Sequence, residues 1–359
     1  MAALVLARRG VQVVVLEPTV GRRDKAGETL PPSLRPLLHH LGLDEAMQHD
    51  GHLRSHGNRS FWGSYQPGEN PFLANRYGTG WHVDRHRLEL RLEAIARRAG
   101  AQWKRLRVDR VAALGQRWRL ELSRQSEPGV PRRTESLDVD FLVDATGRPC
   151  RIARRLGARR LSYDRLMGVY ASLISESPCP ESYTLVEAVA GGWWYSANLA
   201  AGRLAVCFFC DADLMDRPLL RGDPRDWWSR LRTTRATRRR VEEYGYRMRR
   251  KIRVLPAESS RLDTLMGERW IALGDAAAAY DPLSSHGVSS AMGSGFYGGH
   301  AIADLLAGRV EAGLVYRGLM QQAYGAYLDL VAQHYAQEQR WPDAPFWRRR
   351  HAQAFTRVA

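Results

Sequence analysis

Lysine is almost missing from this chain. Only Lys25, Lys104 and Lys251 are lysines; the other 51 of the 54 basic residues are arginine, set against 38 acidic residues for a net charge of +16. The arginines are scattered, which favours a solvated surface over a nucleic-acid face; the cluster at residues 230–253 also reads first as a solvated helix face, and would steer an acidic partner if the substrate is a protein side chain. Long apolar runs are also missing, so no segment reads as a membrane span. The start, MAALVLARRG, has neither the charged beginning nor the small-residue cleavage site of a signal peptide, and the expected location is cytoplasmic. Cysteine is sparse: Cys150, Cys179, Cys207 and Cys210. Cys207-Phe-Phe-Cys210 has the spacing of a metal pair. On a strand, however, residues three apart face opposite sides, and there is no second pair to complete a zinc site. No metal is expected. Internal repeats and low-complexity tracts are absent.

What is present is a chain of 359 residues with 44% hydrophobic content, enough for one large or two interlocked domains. Residues 2–9 have helix-forming composition, Gly10 stops the helix, and Val11–Leu16 reads as a buried strand ending in Glu17. Helix, glycine, apolar strand and acid make up the second half of a dinucleotide-binding βαβ unit, in which the acid accepts hydrogen bonds from a ribose. The first half, a strand and a Gly-x-Gly-x-x-Gly turn, is not there. Met1 falls where the middle of the first helix belongs, so a start site further upstream is expected. A helix is expected over Ser33–Leu41 and an amphipathic one over Arg85–Ala99. Two strands are expected in 103–122, and a buried strand in Phe141-Leu-Val-Asp-Ala-Thr-Gly147. Strands then dominate: Gly168–Ile174, Tyr183–Val189, Gly192–Leu199 and Arg203–Cys210, with a helix near Asp226–Arg239. Ala301–Leu306 and Val315–Gln339 read as helices, followed by a polar, Trp-rich tail.

The most informative stretch is Trp270–Gly295, WIALGDAAAAYDPLSSHGVSSAMGSG. A buried strand ends in Gly274-Asp275, small residues follow, and Gly287 opens a helix of small residues. Such a segment lays backbone N–H groups and one carboxylate against a large flat cofactor. The helix N-terminus favours negative charge, and Gly287 allows close backbone approach.

Several segments together carry a resemblance: Leu6-Ala-Arg-Arg-Gly10 with Val13-Val-Val-Leu-Glu17, Gly27-Glu-Thr-Leu-Pro-Pro32, Val83-Asp-Arg85, Asp144-Ala-Thr-Gly147, and Gly274-Asp275 through Asp281-Pro282 to Gly287. Taken in this order, the chain resembles the FAD-dependent monooxygenase superfamily of para-hydroxybenzoate hydroxylase, geranylgeranyl reductases and tryptophan halogenases. Pro282-Leu-Ser-Ser and Gly192-Trp-Trp-Tyr-Ser196 look most like flavoproteins that mature quinone-cofactor enzymes. The resemblance implies an α/β (α+β) fold: a Rossmann-like FAD-binding domain, an inserted antiparallel sheet domain for substrate, and C-terminal helices. The expected boundaries are 1–50, 80–165 and 256–310 for the FAD domain, 51–79 and 166–255 for the substrate domain, and 311–359 for the helical segment.

The same resemblance implies roles. Glu17 holds the adenosine ribose, Arg85 reaches the pyrophosphate, Asp275 bonds the ribityl or pyrophosphate region, Pro282 lies against the ring, and Gly287 and Val288 present N–H groups to the flavin edge. His286, beside the flavin, is the candidate catalytic residue, with a plain turn residue as the alternative. Glu28 either caps the helix after Pro31-Pro32 or faces the flavin, capping being favoured. Arg59, Trp62 and Trp194 are candidates for a substrate pocket, although Trp193 and Trp194 alternate on a strand and one of them belongs to the core. Halogenases depend on a lysine that reacts with hypohalous acid and on a Trp-x-Trp-x-Ile-Pro signature. Neither is found here, and residues 51–81 hold no lysine. The expectation is therefore an FAD-dependent oxidoreductase that hydroxylates an aromatic small molecule or a tryptophan of a partner protein. NAD(P)H or a separate reductase would supply electrons. The alternatives are reduction of an isoprenoid-like double bond and a non-catalytic basic binding module.

Overall fold

The computed structural model of the chain describes residues 1–18, 25–124 and 134–352. The fold is α/β, with a Rossmann-like part, a large mixed sheet and C-terminal helices. The last residues of the segment 311–359, those from 353 on, lie outside the described residues. In the Rossmann-like part, the helix Ala2–Arg8 stops at Gly10, whose φ of +77° suits glycine. The following strand begins at Val14, later than expected, and Val14–Leu16 runs parallel to Gln102–Lys104. A second parallel pair joins Leu142–Asp144 to Trp270–Ala272. These two pairs are not hydrogen-bonded to each other. They nonetheless share a core: Val13 and Val143 both pack against the cluster that includes Leu6, Ile271, Leu273 and Ile302.

The helix Gly287–Leu306 crosses this part and lies against Ala2–Arg8. Its small residues set the distance. A Cβ added at Gly295 would come within 2.8 Å of the Met1 Cβ, and one at Gly299 within 2.8 Å of the Val5 Cβ. The two helices can therefore approach only with glycine at both positions.

The large sheet runs in the order Arg247–Met248, Leu166–Ile174, Arg203–Asp211, Gly192–Leu199, Tyr183–Val189, Gly57–Phe61, Gly68–Pro71, with Arg253–Pro256 also on Leu166–Ile174. It was expected to be antiparallel, yet Tyr183–Val189 and Gly57–Phe61 pair in parallel. Both faces are covered. The helix Pro224–Arg232 places Trp227 against Trp194, while Glu311–Ala336 and Pro345–Ala352 bring Tyr335 and Trp347 to the other side, next to Trp62. Trp193 and Trp194 are therefore both fully buried, because neither face of their strand meets solvent.

Other expectations need correction. The single helix near 226–239 is two, Pro224–Arg232 and Ala236–Glu243. The break is fixed from outside: the buried Glu187 carboxylate, on the strand Tyr183–Val189, accepts from the N–H groups of Arg235 (2.6 Å), Ala236 (3.2 Å) and Thr237 (2.7 Å). The segment after Pro31 is a 3-10 turn, Pro32–Leu34, running into Arg35–His40. The Trp-rich tail contains the helix Pro345–Ala352, tied down by a buried Arg350–Asp211 pair at 2.6 Å. All four cysteines are free and buried. Among the described residues no helix is long and apolar enough to cross a membrane.

Candidate functional site

The strand Trp270–Ala272 delivers the chain to Gly274, where φ is +58° and the N–H donates to Ser294 Oγ at 2.8 Å. Residues 276–281 are buried, whereas residues 282–291 are all only half-buried. The turn Pro282–Ser284 and the first turn of Gly287–Leu306 thus form an open face on a buried base. Asp281 anchors that base. Its Oδ1 accepts from the Leu283 N–H at 2.8 Å, its Oδ2 from the Tyr335 hydroxyl at 2.7 Å, and its own N–H donates to Tyr327 Oη at 2.7 Å. Burial, and then the nearby Asp164, push the Asp281 carboxyl up to about 7.

At the start of the helix, His286 makes no side-chain cap, so the first N–H groups point outward without a side-chain acceptor. A Cβ added at Gly287 would meet nothing within 4 Å. The helix is 20 residues long, and the partial positive charge at its start suits an electron-rich group. The His286 ring lies 6.5 Å from both Tyr280 and Tyr327, and its buried Nδ1 has no partner.

A second loop meets this helix. Arg85 donates from Nη1 to the carbonyl oxygens of Ala26 (3.1 Å) and Gly27 (3.2 Å), and from Nη2 to Glu89 (3.1 Å). A Cβ on Gly27, where φ is +92°, would lie 3.1 Å from Arg85 Nη1 and 3.7 Å from Val288 Cγ2. Arg85, Gly27 and Val288 therefore converge. Asp84 holds the helix Arg85–Arg98 in place by accepting from the N–H groups of His86 and Arg87. Glu28 does not cap the turn after Pro31, as had been expected. It is 2% exposed, with Oε2 on the Gly27 N–H at 3.0 Å. Burial pushes its carboxyl up, more than Tyr170 and Arg85 pull it down.

Opposite, Arg148 reaches the Tyr280 carbonyl at 3.1 Å and lies 4.0 Å from the half-exposed Asp275 carboxylate. Glu17 follows the strand Val14–Leu16 and is half-buried, its N–H on the Lys104 carbonyl at 3.0 Å. The three proposed substrate residues have separate partners. Arg59 is ion-paired to Glu69 (2.9 Å) and Glu181 (2.6 Å). Trp62 donates to the His334 carbonyl at 2.7 Å, and Trp194 packs on Phe208 and Trp227. Arg148, Tyr280 and Tyr327 were not picked out from the sequence. For Arg148 a signal existed, since it directly follows Gly147.

A family model described as tryptophan halogenase matches residues 64–357. The chain belongs to the tryptophan halogenase family. The putative FAD-dependent oxidoreductase LodB of Marinomonas mediterranea is 28% identical over 353 residues, covering 98% of this chain and 93% of that protein. Among solved structures, the flavin-dependent halogenase CmlS matches with a TM-score of 0.85 and 24% identity. That match covers 97% of this chain and 64% of CmlS. The peptidyl tryptophan dihydroxylase QhpG, essential for tryptophylquinone cofactor biogenesis, matches with a TM-score of 0.75 and 24% identity, covering 97% and 75%.

The chain is thus an FAD-dependent oxidoreductase of this family. Its residues fit the cofactor. The start of the helix Gly287–Leu306 has no side-chain cap, and among the described residues a Cβ added at Gly287 would meet nothing within 4 Å, which leaves room for close approach of a flat, electron-rich group.

Proposed function

We propose that this family member inserts oxygen into an aromatic ring, with a tryptophan side chain of a partner protein as the substrate class and a small aromatic molecule as the alternative. The observation carrying this reading is where the lysines stand. Lys25 is ion-paired to Glu89 at 2.6 Å, Lys104 lies 3.7 Å from Glu135, and Lys251 is exposed just before the strand Arg253–Pro256. None of the three neighbours His286, Pro282 or Gly287 along the chain or by a hydrogen bond or ion pair among the described residues. This pattern, with no lysine in residues 51–81, supports oxygen insertion over halogenation. The likeness to QhpG, a peptidyl tryptophan dihydroxylase, supports the choice of substrate.

When bound and reduced, FAD supplies the activated oxygen. The chain's own part is to bind, orient and keep dry. Glu17 would hold the ribose, Arg85 and Asp275 would serve the polar middle of the cofactor, and Gly287 and Val288 would offer N–H groups to the ring edge. Tyr280 and Tyr327 make a wall beside His286, which is the candidate to hold a proton at the substrate. Electrons come from NAD(P)H or a separate reductase.

The family match favours a second reading, halogenation. One experiment separates the two. FAD-loaded protein is reduced and exposed to oxygen with a tryptophan-containing peptide, with and without bromide, and the peptide is weighed by mass spectrometry. Added oxygen in both conditions is the expected result. Bromine on the peptide would replace hydroxylation with halogenation.

A further inference from the structure

The helices Pro224–Arg232 and Ala236–Glu243 serve the fold on one side only. The first buries Trp227 and Leu231, and Trp227 packs on Trp194 of the large sheet. Between the two helices lies an open groove of about 610 Å³. Arg225, Trp228 and Arg232 line it from the first helix, at spacings of three and four residues that put them on one face. Val241 and Tyr246 line it as buried residues, and the Tyr246 hydroxyl donates to Asn198 at 3.2 Å. Trp228 is half-buried, edge-on to Trp227 with ring centres 5.1 Å apart, and its indole N–H donates to none of the described residues. A partly apolar lining thus meets an exposed basic rim.

The other arginines of these two helices are matched. Arg230 pairs with Asp216 at 2.9 Å and Asp226 at 3.0 Å, Arg238 lies 3.8 Å from Glu242, Arg239 pairs with Glu243 at 2.9 Å, and the buried Arg240 pairs with Glu181 at 2.9 Å. Arg225 and Arg232 are exposed, and among the described residues neither has an ion-pair partner. Glu242 lines the groove as well, where it faces Arg238. Seven residues of helix set Arg225 and Arg232 about 10 Å apart along the axis, with Trp228 between them. Two unmatched guanidinium groups on either side of an indole suit carboxylates that flank an apolar side chain. A nucleic-acid backbone suits the groove less well, because Glu242 would repel phosphate.

We infer that this groove docks an acidic segment of the protein that carries the substrate tryptophan. The inference rests on the reading of a partner protein's tryptophan as the substrate. No residue of the groove belongs to the face at Gly287, so the groove touches neither the cofactor nor the ring being oxidised. Its contribution is the same before and during the reaction, and it lowers KM while kcat stays constant.

The test uses the full chain and the fluorescein-labelled peptide Gly-Glu-Asp-Leu-Asp-Glu-Gly, with the amide peptide Gly-Gln-Asn-Leu-Asn-Gln-Gly as control. In fluorescence anisotropy without FAD, the acidic peptide should bind, less tightly as salt rises, and the amide peptide at least about tenfold more weakly. Arg225→Glu combined with Arg232→Glu should weaken the acidic peptide about tenfold at unchanged melting temperature. Arg98→Glu combined with Arg154→Glu changes the net charge equally at exposed sites of the Rossmann-like part, and should weaken it less than about twofold. Equal affinity for the two peptides, equal losses in the two double variants, or tighter binding of a single-stranded DNA oligonucleotide overturns the inference. With FAD loaded, joining the acidic sequence to a tryptophan peptide through a flexible Gly-Ser linker should lower KM about tenfold at constant kcat in wild type but not in the groove variant. The same KM for joined and plain peptides in wild type also overturns it. If the acidic peptide docks as expected but neither tryptophan peptide gains oxygen, the substrate reading fails and the acidic docking stands.

Discussion

Four buried carboxylates divide this molecule into two regions. Asp144 and Glu187 are 1% and 4% exposed, and each accepts four hydrogen bonds. They take the N–H groups at the starts of the helices Arg151–Arg155 and Ala236–Glu243. Glu28 and Asp281 are just as buried, yet have fewer donors and are pushed toward the neutral form. The first pair completes helices and leaves nothing open. The second pair stands beside the open face at Gly287. Equal burial thus goes with different charge states, because the number of donors offered to each carboxylate differs.

The largest predicted effect falls on the satisfied pair. Asp144→Ala strips four donors of their acceptor and should cost about 3–5 kcal/mol in urea unfolding. A loss below about 1 kcal/mol would mean those bonds matter little and would blur the contrast. Asp281 should behave differently. Its folded pKa of about 7 lies above the unfolded value, so its contribution is complete below about pH 4 and is lost as pH rises toward 7. Melting temperatures across that window should fall in wild type relative to Asp281→Asn, and parallel curves would show that Asp281 stays ionised. Smaller again, Trp62→Phe removes the bond to the His334 carbonyl and should cost about 1 kcal/mol by thermal unfolding. The exposed Arg239–Glu243 pair should be the weakest case, with no change in melting temperature resolved for Arg239→Ala.

Much of the Rossmann-like part could be read from the sequence because its signals are local. Gly10, the apolar run to Leu16, and Asp144-Ala-Thr-Gly147 each announce a turn or strand end within a few residues. Features decided by remote partners could not be read. The break between the helices Pro224–Arg232 and Ala236–Glu243 depends on Glu187, far back in the chain. Alternation along Gly192–Leu199 correctly put Trp193 and Trp194 on opposite faces, but not that helices cover both. Arg59 was a candidate for the substrate pocket, and its ion pairs to Glu69 and Glu181 come from residues that local sequence does not join to it. Glu28 resembled a cap because a helix was expected after Pro31-Pro32, whereas its actual surroundings come from Arg85, Tyr170 and Tyr195. The sequence pointed to the cofactor loop; only the fold shows what lies behind it.

The central claim is that the face at Gly287 receives the flavin ring. Gly287 has no positive φ, and apart from its chain neighbours and its own helix no atom of the described residues lies within 4 Å of an added Cβ, so the described fold does not demand glycine there. Fluorescence titration of FAD into wild type and Gly287→Leu tests this directly. FAD should bind the variant at least about tenfold more weakly, a loss of about 1.4 kcal/mol, with the melting temperature of the FAD-free protein unchanged. Equal FAD affinity in the two proteins would contradict the claim.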